Sequence, residues 1–193
     1  MNYVKEIKSY IPKNEQEQQD KKVILDCIQM FPHNILTRDN EVAHITSSSL
    51  ILNKSLSKTL FIHHNIRNTW SWTGGHADGD SNLLEIAMRE ATEETGVNVT
   101  PISNKIASLD IGTVMGHVKN GKYVSGHLHL SVAYLLMANE HDSLVIKPDE
   151  NSGVEWFPID KIAEGMFSER DVYLYSKLLN QAKGIISCPT NPQ

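Results

Sequence analysis

Cysteine is scarce in this chain: only Cys27 and Cys188 occur, far apart and without paired spacing. That excludes a disulfide framework and a cysteine-based zinc pattern. Cys27 stands among apolar residues and reads as core. Long apolar runs are also missing, so no segment reaches the roughly 20 residues a membrane span needs. The N-terminus lacks the basic-then-apolar pattern of a signal peptide. The expected compartment is the cytoplasm, with no membrane partner. Basic residues are outnumbered, 18 Lys and Arg against 23 Asp and Glu, for a net charge of −5. A broad nucleic-acid-binding surface is therefore not expected, although a free nucleotide could still bind, because a metal would screen its phosphates. No internal repeat or low-complexity tract is visible. With 193 residues, 40% hydrophobic and 21% charged, the chain can bury a core unaided and suits one domain with an appendage.

What is there centres on residues 74–97, GGHADGDSNLLEIAMREATEETGV. Leu83, Leu84, Ile86, Ala87 and Ala91 recur at helical spacing with no proline among them. Gly96 supplies a C-terminal stop. Asp78-Gly79 signals a turn, and Asp80 or Ser81 is available as N-cap. On such a helix Glu90, Glu93 and Glu94 fall at i, i+3 and i+4 and share one face. Three adjacent carboxylates repel one another. Either solvent or a hard cation relieves that, and oxygen-only ligands suit Mg2+ or Mn2+. Arg89 is placed at i, i+4 to Glu93 and would steady it. Gly74-Gly75 reads as a loop that lets backbone approach a ligand closely.

The segment resembles the Nudix box of the MutT-like hydrolases. In words, that pattern is Gly, five residues, Glu, seven residues, Arg-Glu, an apolar residue, any residue, Glu-Glu, any residue, Gly, an apolar residue. Gly75, Arg89-Glu90, Ala91, Glu93-Glu94, Gly96 and Val97 fit it in register. Ser81 departs, standing where the pattern has its first Glu; Asp80 and Glu85 are near but out of register. The resemblance implies divalent-metal-dependent cleavage of a pyrophosphate in a nucleoside diphosphate linked to another moiety. It implies Glu93 and Glu94 as metal ligands, Glu90 as a ligand or as a residue that helps activate water, Arg89 as the group that orients a carboxylate, and Gly74 or Gly75 as a carbonyl ligand. The Ser81 departure bears on the number of metal ions more than on the reaction class. A Nudix-fold sensor that binds a nucleotide without cutting it is the alternative. The isoprenoid diphosphate isomerase of this fold would want a cysteine near the box, and there is none.

Along the chain, residues 1–42 read as a helical extension. Val4, Ile7, Tyr10 and Ile11 mark a short amphipathic helix ended by Pro12. Asn14 and Glu17 form a capping-box pattern for a second helix. Its polar EQEQQDKK reads as a solvated face, and Ile24, Cys27, Ile28 and Phe31 form an apolar face that would dock on the domain or on a second subunit; a homodimer is one outcome. Strands are expected at 44–52, 60–64, 106–114, 124–137 and 153–157, with Asn120-Gly121-Lys122 as a hairpin turn. A helix should begin near Asp160 and a last one, capped by Ser168, should cover 168–182, before a tail at 185–193. The resemblance and this order both give an α/β/α sandwich with a mixed sheet over 43–184.

Other residues are candidates for the site. His76 follows Gly75 and could touch a phosphate. His127 and His129 share one strand face; substrate contact is favoured over metal, since no third ligand is placed and imidazole prefers Zn2+ to Mg2+. Trp70 and Trp72 share a face, and Trp72 is the one to stack on a base, although packing is the commoner role for Trp. Glu150, and after it Glu140, are the loop glutamates that the resemblance makes candidates for an additional base.

Overall fold

The computed structural model describes residues 3–119 and 121–187. Cys188, Asn120 and the tail expected beyond 187 lie outside the described residues.

The N-terminal extension holds α1 (Tyr3–Ser9) and α2 (Glu15–Met30). The strands are β1 (Ala43–Asn53), β2 (Lys58–His64), β3 (Thr69–Ser71), β4 (Thr73–His76), β5 (Val99–Pro101), β6 (Ser108–Val114), β7 (His117–Lys119), β8 (Lys122–Val124), β9 (His127–Ala138) and β10 (Asn151–Pro158). Helix α3 (Leu83–Thr95) follows β4, and α4 (Glu169–Ser187) closes the described chain. Eight strands form one mixed sheet in the order β10-β2-β1-β9-β5, with β3 on β2, β4 on β1 and β6 on β9. β1 and β9 run parallel along their whole length, from Ala43↔Leu128 to Asn53↔Ala138. β7 and β8 make a separate hairpin.

β1 is buried at every position although it carries Thr46-Ser47-Ser48-Ser49 at its centre. A central parallel strand is covered on both faces, so its polar groups must be paired inside. Ser47 Oγ donates to the Leu83 carbonyl at 2.6 Å, Ser48 pairs with Ser131 at 3.1 Å and Ser49 with Thr73 at 2.7 Å. Alternation then assigns the faces. Ile45, Ile51, Leu130, Val132, Tyr134 and Leu136 pack with Ile86, Ala87 and Ala91 of α3. Leu50, Leu52 and Leu135 pack with Tyr175, Leu178 and Leu179 of α4. Helices thus cover both faces, the sandwich expected from the sequence.

The extension joins the first of these cores. Ile7, Tyr10, Ile24 and Cys27 are buried in it, so the apolar face of α2 docks on its own domain and leaves no need for a second subunit there. Ile11, expected on the apolar face of the first helix, lies beyond the end of α1 and is 80% exposed. Asn14 caps α2 by accepting the Glu17 N–H at 2.8 Å. Glu17 is no solvated residue, as the polar run predicted, but is 1% exposed. It accepts from Tyr10 OH at 2.6 Å and from the Lys13 N–H at 2.9 Å, and pairs with Lys177 of α4 at 3.1 Å. Burial alone would raise its pKa; those hydrogen bonds and the ammonium outweigh it and hold it below the ordinary glutamate value.

Other differences from the sequence reading have local causes. Gly74-Gly75 is not a loop but part of β4, paired to Ser48 and Ser47. The expected strand at 124–137 breaks at Ser125-Gly126, giving β8 to the hairpin. Only a 3-10 turn, Ile159–Lys161, forms after β10. α4 extends to Ser187, with Ser168 Oγ accepting the Asp171 N–H at 3.2 Å. Among the described residues no helix is long and apolar enough to cross a membrane.

Candidate active site

β4 leaves the sheet at His76, and the chain turns through Asp78 and Gly79, both at positive φ, into α3. The N-cap is Asn82 rather than Asp80 or Ser81, and the Asp80 carboxylate accepts the Asn82 N–H at 2.9 Å. At the other end Gly96 takes the left-handed conformation, φ 78°, and donates to the Thr92 carbonyl at 2.8 Å. α3 therefore lies across β4 with Glu90 and Glu94 turned toward it. A Cβ on Gly75 would come within 2.7 Å of Glu90 Oε2, so only glycine lets that carboxylate rest against the strand. Glu94 is 3% exposed and accepts the Gly74 N–H at 3.0 Å.

A fourth carboxylate arrives from the loop before β10. Val145 N–H donates to the Thr95 carbonyl at 2.9 Å, and the buried Asn151 donates its Nδ2–H to the Glu94 carbonyl at 2.9 Å. These bonds fasten the loop to the end of α3. Lys147 then sits 3.1 Å from both Glu93 and Glu150. Arg89 lies 3.5 Å from Glu90 and 3.9 Å from Glu93. Glu140 is elsewhere, paired with Lys58 at 2.5 Å.

The electrostatics follow from crowding. Burial, and then Glu150 and Glu90, raise the Glu94 carboxyl to about 8 against the opposing Gly74 N–H. Glu90 is raised as well, by burial and then by Glu93. Burial opposes the Lys147 ammonium, but Glu93 and Glu150 hold its pKa above the ordinary lysine value. Such a cluster carries more negative charge than its own cations neutralise, and a divalent ion with oxygen ligands relieves it. The donor set and the Gly75 cradle both fit Mg2+ or Mn2+.

The opposite face of β4 is different. His76 points away from α3, toward His44 and His129, with ring centroids 4.9 Å from each. His127 lies 4.8 Å from His44 and 5.1 Å from His129. Burial, and then the neighbouring imidazoles, push His129 down to about 2. His76, His127 and His129 are thus together but across the strand from the carboxylates. Trp72 is not with either group: its ring packs 6.1 Å from Tyr175 in the second core, and its backbone N–H donates to Tyr175 OH at 3.2 Å. Trp70 packs on Phe157 at 4.9 Å.

Residues 43–178 match the family model described as NUDIX domain. The chain belongs to the NUDIX family. No curated protein matches it. Among solved structures, a NUDIX-family hydrolase from Clostridium perfringens is similar at 22% identity and a TM-score of 0.53, covering 72% of this chain and 97% of that one. A MutT protein from Methanosarcina mazei Go1 gives 21% identity, TM-score 0.48 and coverage of 75% and 95%. A C. elegans Ap4A hydrolase complex gives 15%, 0.48, and coverage of 74% and 97%. The residues that resemble the Nudix box lie on β4, on the turn after it and on α3. Ser81, where the NUDIX pattern has Glu, precedes the helix; Asp80 is engaged by the Asn82 N–H, and Glu85 is exposed.

Sequence reasoning passed over several residues at this site. Lys147 and Asn151 gave no signal, because nothing local ties their loop to α3. Arg38 was missed too; it makes a two-bonded pair with Asp78, at 2.8 and 2.7 Å, beside the turn into α3. His44 had no role assigned, and only the parallel register His44↔His129 brings it to the other histidines.

Proposed function

We propose that this NUDIX protein is a Mg2+- or Mn2+-dependent hydrolase that cuts the pyrophosphate of a nucleoside diphosphate linked to another moiety. The observation that carries this reading is the gathering of four carboxylates at one end of α3: Glu90 against Gly75, Glu94 on the Gly74 N–H, and Glu93 tied to Glu150 through Lys147. Glu90, Glu93, Glu94 and the Gly75 carbonyl would hold the ion. When bound, it supplies Lewis acidity and neutralises phosphate charge. Arg89 keeps the Glu90 and Glu93 carboxylates in place. Glu150, tied to the cluster through Lys147, would take the proton of an attacking water as general base. Lys147 can pass from the carboxylates to a phosphate oxygen as substrate enters, and so offset charge that develops on the leaving group.

The test is release of phosphate or nucleoside monophosphate from a panel of diphosphate-linked compounds, with Mg2+ and then Mn2+. Metal-dependent turnover in the wild type is expected, with a loss of about 10²-fold or more in Glu94→Gln. Tight binding of one compound without turnover of any would favour a nucleotide-binding sensor instead, and Ser81 would then be the residue to restore to Glu.

A further inference from the structure

We propose that His44, His127 and His129 form a second metal site, for a borderline transition ion of the Zn2+ class, separate from the carboxylate cluster. One ligand nitrogen from each lies within 4.8 Å of the others. His127 Nε2 and His129 Nε2 are 3.3 Å apart, paired by a hydrogen bond that a shared ion would replace. Zn–N bonds of about 2.0–2.1 Å in a tetrahedron place two nitrogens about 3.3–3.4 Å apart, so this pair already has the required separation.

The hydrogen bonds behind the rings support the same use. The His44 Nδ1–H donates to the Asn40 carbonyl at 3.0 Å, and the His127 Nδ1–H donates to the Ser125 carbonyl at 2.8 Å. A carbonyl can only accept, so each Nδ1 carries the proton and each Nε2 presents a lone pair. Metal-ligating histidines are fixed in this way by a backbone acceptor on the far nitrogen. His44 is 4% exposed, and its buried Nε2 has no hydrogen-bond partner among the described residues. A buried polar atom left so is costly, and an ion at the cluster satisfies it.

The scaffold is rigid. His44 and His129 stand opposite one another in the β1–β9 ladder, and His127 is two residues before His129 on the same face. Three protein nitrogens leave a fourth position for water or an anionic ligand. An imidazole set takes Zn2+ in preference to Mg2+, which goes to oxygen. The two clusters therefore select different ions.

The experiment is equilibrium dialysis of the full chain against Zn2+ in excess Mg2+, with Co2+ absorption as the spectroscopic readout. The wild type should retain one Zn2+ per chain that Mg2+ does not displace, and Co2+ should give the intense visible bands of four-coordinate cobalt. His127→Ala should weaken Zn2+ binding at least 10-fold, while Glu94→Gln should not. His127 is only half-buried, so its loss leaves the core intact; His44→Gln is the second variant, and metal-free melting checks that both fold. In the wild type Zn2+ should also raise Tm, and in the variants it should not. No retained Zn2+ in the wild type overturns the proposal. So does retention that survives both histidine variants, or that disappears in Glu93→Gln or Glu94→Gln.

Discussion

Gly75→Ala tests the geometry of the carboxylate cluster with one methyl group. The new Cβ would stand 2.7 Å from Glu90 Oε2 and 2.8 Å from Glu90 Cγ, well inside the contact distance of about 3.5–4.0 Å. What it meets is the end of a side chain rather than backbone, so Glu90 can swing aside. The stability cost should lie at the low end for overpacking, about 1 kcal/mol, or a Tm lower by about 2–4 °C for a chain of this size. The effect on turnover should be larger, because a displacement of about 1 Å at a reacting centre costs about 10²-fold. That is about 2.7 kcal/mol of activation free energy, more than the fold loses. The assay is kcat/KM and the Mg2+ titration midpoint for the wild type, Gly75→Ala, Glu90→Ala and the double variant. If the glycine acts through Glu90, adding Gly75→Ala to Glu90→Ala should cost nothing beyond about twofold, since residues in contact are not additive. Turnover of the single variant near the wild-type rate would refute the argument. So would two losses that simply multiply.

Other perturbations separate the parts. Lys147→Met removes the cation shared by Glu93 and Glu150; the Mg2+ midpoint should fall about two- to fivefold, the equivalent of a partly exposed ion pair, while the metal-free protein melts lower. Glu150→Gln should lower kcat by about 10²–10⁴-fold, the range for a general base, with a smaller change in Mg2+ affinity, read by steady-state kinetics across a metal titration. Glu17→Ala should cost about 1–3 kcal/mol in urea unfolding, because Tyr10 OH and the Lys13 N–H lose their buried acceptor, while Lys177 keeps Asp110 at 2.6 Å. The Glu17 pKa is held down in the folded state, so its contribution is complete above the unfolded value of 4.5 and lost as pH falls through the folded one; Glu17→Gln should flatten that acid limb. Tyr10 is shifted upward, by burial and then by Glu17. Its contribution holds below the unfolded value of 10.0 and is lost as pH rises beyond it, so Tyr10→Phe should flatten the alkaline limb of stability against pH.

Where sequence reading succeeded, the information was local. The spacing of Leu83, Ile86, Ala87 and Ala91 and the stop at Gly96 are consequences of helix period and left-handed capping, and both appear in α3. The register of Arg89, Glu90, Glu93 and Glu94 fixes their face from period alone. Failures came where partners distant in sequence decide the outcome. Glu17 looks like part of a solvated run until Tyr10, Ser108 and Lys177 fold around it. Trp72 has the spacing of a stacking residue, yet Tyr175 of α4 claims its ring. Gly74-Gly75 has loop composition, but serines on β1 leave room for a strand to pair there, and Glu90 needs the space a side chain would fill.

The period of β4 shows how the carboxylates and the histidines come to lie on opposite faces of the sheet. Successive residues of a strand face opposite sides. Gly75 turns toward α3 and admits Glu90; His76, one residue on, turns toward His44 and His129. Oxygen donors that favour a hard ion are therefore collected on one side of the sheet and imidazoles that favour a softer one on the other. Shifting β4 by one residue against β1 would reverse both choices. The pairings that prevent this are Ser49 with Thr73 and Glu94 with the Gly74 N–H. Thr73→Val tests it: with the hydroxyl gone and the shape kept, Ser49 loses its partner, and Mg2+-dependent turnover should weaken, whereas Zn2+ retention, whose ligands stand on β1 and β9, should not. Loss of Zn2+ retention together with turnover would mean that the histidine cluster depends on β4 as well.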